Sequence, residues 1–229
     1  MDYTALFITL KLALAVTAVL VVLAAPVAYL FACRNFPGKP LLEALLYLPM
    51  ALPPTVIGFY LVIVMGPRGI LGTFWQTLTG NRLLFTFAGI TVAAVLYSLP
   101  FAVQPMKATF QKIDHRLLES AAVLGLSPTA AFFRVVIPNS TNGIIAAAVL
   151  VFLHTIGAFG VLLMVGGSIP GVTKVASIAI YEAVEMMDYR SAGLMALTFL
   201  PVSYLFLLFA NRLSRDGGHD SFGRCGKKT

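Results

Sequence analysis

The stretch Lys107–Pro138, KATFQKIDHRLLESAAVLGLSPTAAFFRVVIP, is a polar island between two long hydrophobic blocks. Leu117, Leu118, Ala121, Ala122 and Gly125 recur at helical i, i+3, i+4 spacing beside a face carrying Asp114, His115, Arg116 and Glu119, which predicts a short amphipathic helix. Gly125 is a natural C-cap, because glycine reaches the left-handed backbone that closes a helix at no steric cost. Ser127 followed by Pro128 is an N-cap with a first-turn proline, and Pro138 is expected to end the second helix. An apolar stripe facing water is a liability unless something covers it. A docking partner is therefore expected on this loop, at about 107–138.

The blocks on either side decide the fold class. Of 229 residues 59% are hydrophobic and 11% charged, and the mean hydropathy is +0.91, well outside the range of soluble domains. Crossing about 30 Å of hydrocarbon takes roughly 20 apolar residues. Five intervals lack Asp, Glu, Lys and Arg: Leu12–Cys33 (22 residues), Ala44–Pro67 (24), Leu83–Met106 (24), Val135–Thr173 (39) and Ser191–Asn211 (21). The longest is expected to hold one span and then a short, partly buried segment, since a second span would run into Lys174, Glu182, Glu185 and Asp188. An all-α integral membrane protein with five spans follows, the island lying between the third and fourth. Residues 1–213 form one transmembrane domain and 214–229 a basic tail.

Basic residues orient the chain. Putting the Cys33–Glu43 loop, the island and the tail on one side gathers eleven of the sixteen Lys and Arg there, leaving Lys11, Arg68, Arg82, Lys174 and Arg190. That side is expected to be the cytoplasm, with the amino terminus outside and the carboxy terminus inside. The net charge of +7 then reflects orientation, and no nucleic-acid partner is expected. Cys33 and Cys225 share the reducing side, so no structural disulfide is expected. The first apolar block is of full spanning length and follows no basic n-region, so it reads as a retained helix.

Within the spans, Pro49, Pro53 and Pro54 should bend or break the second one, as happens where helices line a cavity. His154 is a candidate proton carrier or anion contact, or else a neutral ring hydrogen-bonded to a neighbouring helix. Gly157, Phe159 and Gly160 follow it and join Pro53, Pro54 and His154 as candidate pathway residues. Trp75 should lie at headgroup level in a short interfacial helix around Ile70–Leu78. The tail run GRCGKKT fails as a phosphate loop: Ser221 replaces the first glycine and Lys228 replaces the Ser or Thr after Gly226-Lys227. Neither a catalytic residue nor a metal site is expected, nor any cofactor bound by this chain.

The island resembles the cytoplasmic signature of bacterial ABC importer permeases, which runs Glu-Ala-Ala, three residues, Gly, nine residues, Ile-x-Leu-Pro. Here Glu119-Ser120-Ala121, Gly125 and Val135-Val136-Ile137-Pro138 keep its order and spacing. Phe36–Gly72, Gly167–Tyr181 and Phe132-Phe133-Arg134 are similar to segments of the molybdate branch, an inner-membrane family dependent on binding proteins. The resemblance implies that Glu119, Ser120, Ala121, Gly125, Ser127, Pro128 and Pro138 belong to coupling helices seated in an ATPase groove. It implies a second copy of the chain, two cytoplasmic ATPases holding ATP and Mg, and an external oxyanion-binding protein. Molybdate or tungstate is the implied cargo, with sulfate as the alternative; a self-sufficient secondary transporter driven through His154 is the rival from another class. Where relatives commonly read Gly-Glu-Phe-Gly, this chain has Gly157-Ala158-Phe159-Gly160.

Overall fold

The computed structural model describes residues 3–216, which are helical throughout apart from turns and connections. Most of the predicted tail, with Cys225 and the GRCGKKT run, lies outside the described residues. Three helices are long and apolar enough to cross a bilayer unbroken: α1 (Tyr3–Cys33), α5 (Phe87–Phe110) and the Tyr189–Leu208 part of α12 (Tyr189–Asp216). α1 begins nine residues before the first charge-free interval, because Lys11 lies inside it with its ammonium 4.6 Å from the centre of the Phe87 ring. That contact returns part of the cation's lost hydration. The buried residues Ile8, Leu12, Val16, Leu20, Ala24 and Ala28 form a stripe at four-residue spacing along α1. It packs against α5 and α9 (Thr141–Gly157), which also pack on each other. Ala24 and Ala28 are small enough to let backbones approach, as membrane helix interfaces require.

The other two spans are bent pairs, and five spans result when each pair is counted as one. α2 (Lys39–Ala51) and α3 (Pro54–Met65) meet at 114°. Leu52 and Pro53 both precede a proline, which disfavours the helical region for each; their ψ angles are 146° and 137°. Two extended residues in succession make a break rather than a kink. Pro49, by contrast, stays inside α2.

The second pair, Pro128–Asn139 and α9, bends by 76° at Ser140, so the helix ends one residue after Pro138, close to where the proline was expected to end it. The proline itself is accommodated: α7 (Pro128–Ala131), a π-helical turn (Phe132–Val136) and α8 (Ile137–Asn139) run through it. A proline ring collides with the carbonyl four residues back in a regular helix. The wider turn removes the collision, with Ile137 N–H donating to the Phe132 carbonyl and Asn139 Nδ2 to the Val135 carbonyl at 2.7 Å.

After α9 the chain breaks at Ala158–Phe159 and continues as α10 (Gly160–Gly166), too short to span, and α11 (Ala176–Glu185). This agrees with one span followed by a short buried segment. Thr9 Oγ1 accepts from the Ala176 amide at 2.8 Å and pins the start of α11 to α1. Lys174 pairs with Glu182 at 2.7 Å, and its ammonium holds that carboxyl below the usual carboxylate range.

Candidate functional site

The island folds as its caps dictate. Asp114 Oδ1 accepts from the Arg116 amide at 3.0 Å and opens α6 (His115–Val123). α6 closes in a Schellman turn: Gly125 N–H donates to the Ala122 carbonyl and Leu126 N–H to the Ala121 carbonyl, both at 3.0 Å, with Gly125 at φ 78°. Ser127 Oγ then accepts from the Ala130 amide at 3.3 Å to open α7, with Pro128 in its first turn.

The stripe divides rather than facing one way. Ala121 is buried and Leu118 half-buried against the core, while Leu117 and Ala122 are exposed. The outward apolar surface is made instead by Leu117, Val123, Leu124 and Phe133, with Val123 and Leu124 at 88% and 78% exposure. Glu119, Ser120, Gly125, Ser127, Pro128 and Pro138 are exposed around it.

One fastening ties this loop to the spans and another ties α5 to α2 beside it, and neither was legible in spacing. Phe132 sits 5.0 Å from the Tyr29 ring and 6.4 Å from Phe110, and those two rings are 6.3 Å apart, so α1, α5 and the loop share one aromatic cluster. Lys107, near the end of α5, pairs with Glu43 of α2 at 2.8 Å.

A second site is an open cleft at the two helix breaks, where Pro54 and Gly157 are exposed. Pro54, His154, Gly157, Phe159 and Gly160, five of the six candidate pathway residues, line one cavity of about 440 Å³ with Tyr97; Pro53 does not. Both helix breaks open onto it. The half-helices beyond them are pressed together: a Cβ on Gly58 of α3 would lie 2.8 Å from Met164 Cβ of α10, and one on Gly160 would lie 3.3 Å from Pro54 Cβ. Gly157 faces open space, so it is no packing glycine. Ala158 is buried, and its carbonyl accepts from Ser177 Oγ at 2.7 Å. An uncharged side chain there avoids the desolvation a carboxylate would suffer.

His154 is hydrogen-bonded to a neighbouring helix. Its Nδ1 is 2.9 Å from Ser98 Oγ of α5, and its ring stacks on Phe101 at 3.9 Å and tilts over Tyr97 at 4.6 Å. His154→Phe should keep the stacking but leave the buried Ser98 hydroxyl without its partner, costing about 1–3 kcal/mol. A melting temperature lowered by a few degrees with transport retained is the expected result. Complete loss of transport at unchanged stability would instead assign His154 to proton movement.

Residues 21–216 match the family of the binding-protein-dependent transport system inner membrane component. The chain belongs to that family. It is a multi-pass inner-membrane permease of the ABC importer type. This permease is 43% identical over 94% of its length to the molybdenum transport system permease protein ModB of Azotobacter vinelandii, covering 96% of that protein. It is 34% identical over 80% of its length to a probable sulfate transport system permease protein, cysT, of Chlorokybus atmophyticus, covering 63% of it. Among solved structures, a bacterial alginate ABC transporter in complex with a pentasaccharide-bound periplasmic protein superposes with a TM-score of 0.75 at 18% identity, over 93% of this permease and 78% of that chain. That likeness concerns the fold.

Proposed function

We propose that this permease imports molybdate, and tungstate with it, as the membrane subunit of an ATP-driven transporter. Two copies surround one pathway, two cytoplasmic ATPases supply ATP hydrolysis with Mg, and an external binding protein delivers the oxyanion. Residues 1–213 act as the transmembrane domain and 214–229 as a cytoplasmic tail. The observation that carries the reading is the capped loop, with apolar Leu117, Val123, Leu124 and Phe133 turned outward and Phe132 bolted to the spans. A surface so built suits a protein partner, and its fastenings suit the passage of force.

Closure of the ATPases displaces α6, and the Tyr29–Phe110–Phe132 cluster and the Lys107–Glu43 pair carry that displacement to α1, α5 and α2. The bent segments around the cavity then move, and hydrolysis resets them. ATP binding shifts the equilibrium only as far as it favours one state over the other.

Cargo assignment rests on the 43% identical molybdenum relative. The sulfate relative at 34% identity supports sulfate as the second reading. Reconstituting the permease with its ATPase and comparing hydrolysis with binding protein loaded with molybdate, tungstate or sulfate separates them. Stimulation by molybdate at least tenfold above sulfate is expected; the reverse order overturns the cargo. Leu124→Asp should cut ATPase co-purification at least tenfold without shifting the melting temperature, since Leu124 is 78% exposed.

A further inference from the structure

The connection between α3 and α5 lies at the opposite end of α5 from the docking loop, about 36 Å away for 24 residues. It contains α4 (Ile70–Thr79), which carries apolar residues on two faces. Leu71 and Trp75 pack inward with Met65 and Leu83, while Ile70, Phe74 and Leu78, four residues apart, are exposed in a row. The hydroxyls of Thr73, Thr77 and Thr79 each donate to the carbonyl four residues back, on Gly69, Thr73 and Trp75. Exposed hydroxyls satisfied by their own helix ask nothing of the surrounding medium. Such a helix suits the boundary between headgroups and hydrocarbon, where an apolar face and a half-buried tryptophan are both stabilised.

At its end the charge changes. Asn81 and Arg82 follow the Gly80 turn, and a cavity of about 490 Å³ is lined by Trp75, Thr79, Asn81, Arg82, Thr86 and Ala88. No Asp or Glu occurs between Glu43 and Asp114, and Arg82 makes no ion pair among the described residues. An exposed guanidinium at an open depression, with no acidic partner among the described residues, matches a tetrahedral oxyanion. The adjoining row of Ile70, Phe74 and Leu78 matches an acyl chain.

We propose that the Arg82 cavity binds the phosphate of an anionic phospholipid headgroup, whose acyl chain lies along Ile70, Phe74 and Leu78. A free oxyanion shares the headgroup's chemistry but leaves that apolar row uncovered, so the lipid is the occupant. The proposal rests on the chain's place in a membrane and not on its cargo.

The test uses the whole transporter in nanodiscs of phosphatidylcholine with one-fifth phosphatidylglycerol, and native mass spectrometry counts the phosphatidylglycerol retained after transfer to detergent. One molecule per permease copy is expected. Arg82→Gln and Phe74→Ser should each lower that occupancy at least fivefold, while Arg82→Lys keeps most of it and Arg68→Gln all of it. Unchanged occupancy in Arg82→Gln overturns the proposal, as does equal loss in Arg68→Gln, which would mean general charge attraction. Displacement of the lipid by millimolar phosphate or molybdate overturns the choice of lipid over free anion. Because lipid is counted without transport, the result stands apart from any failure of the molybdate reading.

Discussion

Replacing Gly125 by valine is expected to abolish ATP hydrolysis stimulated by the binding protein, and to prevent stable capture of the ATPase, while the permease still inserts in the membrane. Gly125 holds φ 78°, and a Cβ placed there would meet nothing within 4 Å. The effect is therefore one of backbone preference and not of collision. An L-residue in the left-handed region costs roughly 1–2 kcal/mol, and a β-branched one more. The Schellman turn held by the amides of Gly125 and Leu126 is worth about 2 kcal/mol at a typical 1 kcal/mol per hydrogen bond. Valine thus sets a penalty comparable to the whole turn, and Gly125 is itself exposed and no part of the α1–α5–α9 core that holds the spans together. Loss of the turn misdirects Val123 and Leu124, the most exposed apolar residues of the loop. A graded series checks the cause: asparagine, which tolerates this backbone, should keep most of the coupling, alanine an intermediate share, and valine none. Normal ATPase capture by the valine variant sinks both the turn argument and the docking role.

The parts of this architecture that were legible in sequence are those in which a residue acts on its own backbone. The Gly125 and Ser127 caps are such cases, whereas Asp114, read as part of the polar face of the helix, is its N-cap. So is the break at Leu52–Pro53, where two pre-proline positions in a row both disfavour the helix. Pro138 shows the limit of that reasoning, because the π-helical turn before it absorbs a clash that a regular helix could not. Contacts between distant residues left no such mark. Ser98 and His154 lie 56 positions apart, and Tyr29 meets Phe132 only once α1, α5 and the loop are packed. The outward face of α6 was legible in part: Leu117, Ala122 and Gly125 of the stripe are exposed, whereas Ala121 is buried and Leu118 half-buried. Spacing locates a stripe, whereas packing decides which part of it is covered: α7 and its π-helical turn pack on α6, and Ala121 is buried.

Gly58 is where the largest effect on the pathway side is expected. It is buried on α3, and a Cβ there would meet Met164 Cβ at 2.8 Å, Met164 Cγ at 2.9 Å and the Val161 Cα at 3.3 Å. Rotating a side chain cannot relieve the first and last of these, since a Cβ and a Cα move only with the backbone. Gly58→Val therefore forces α3 and α10 apart. Overpacking of this kind costs about 1–3 kcal/mol, which for a chain of this length lowers the melting temperature by roughly 2–4 °C per kcal/mol. Separation also displaces Pro54 and Gly160, which sit at the starts of these half-helices and line the cavity. Uptake should fall at least tenfold while ATPase capture at the remote loop stays normal, the opposite pattern from Gly125→Val. Met164→Gly removes the atom in the way, so combined with Gly58→Ala it should restore uptake and spare about 1 kcal/mol relative to the sum of the single variants. A strictly additive pair, or a Gly58→Val variant with normal uptake, means that α3 and α10 do not move as one body, and the two broken helices must then open the cavity independently.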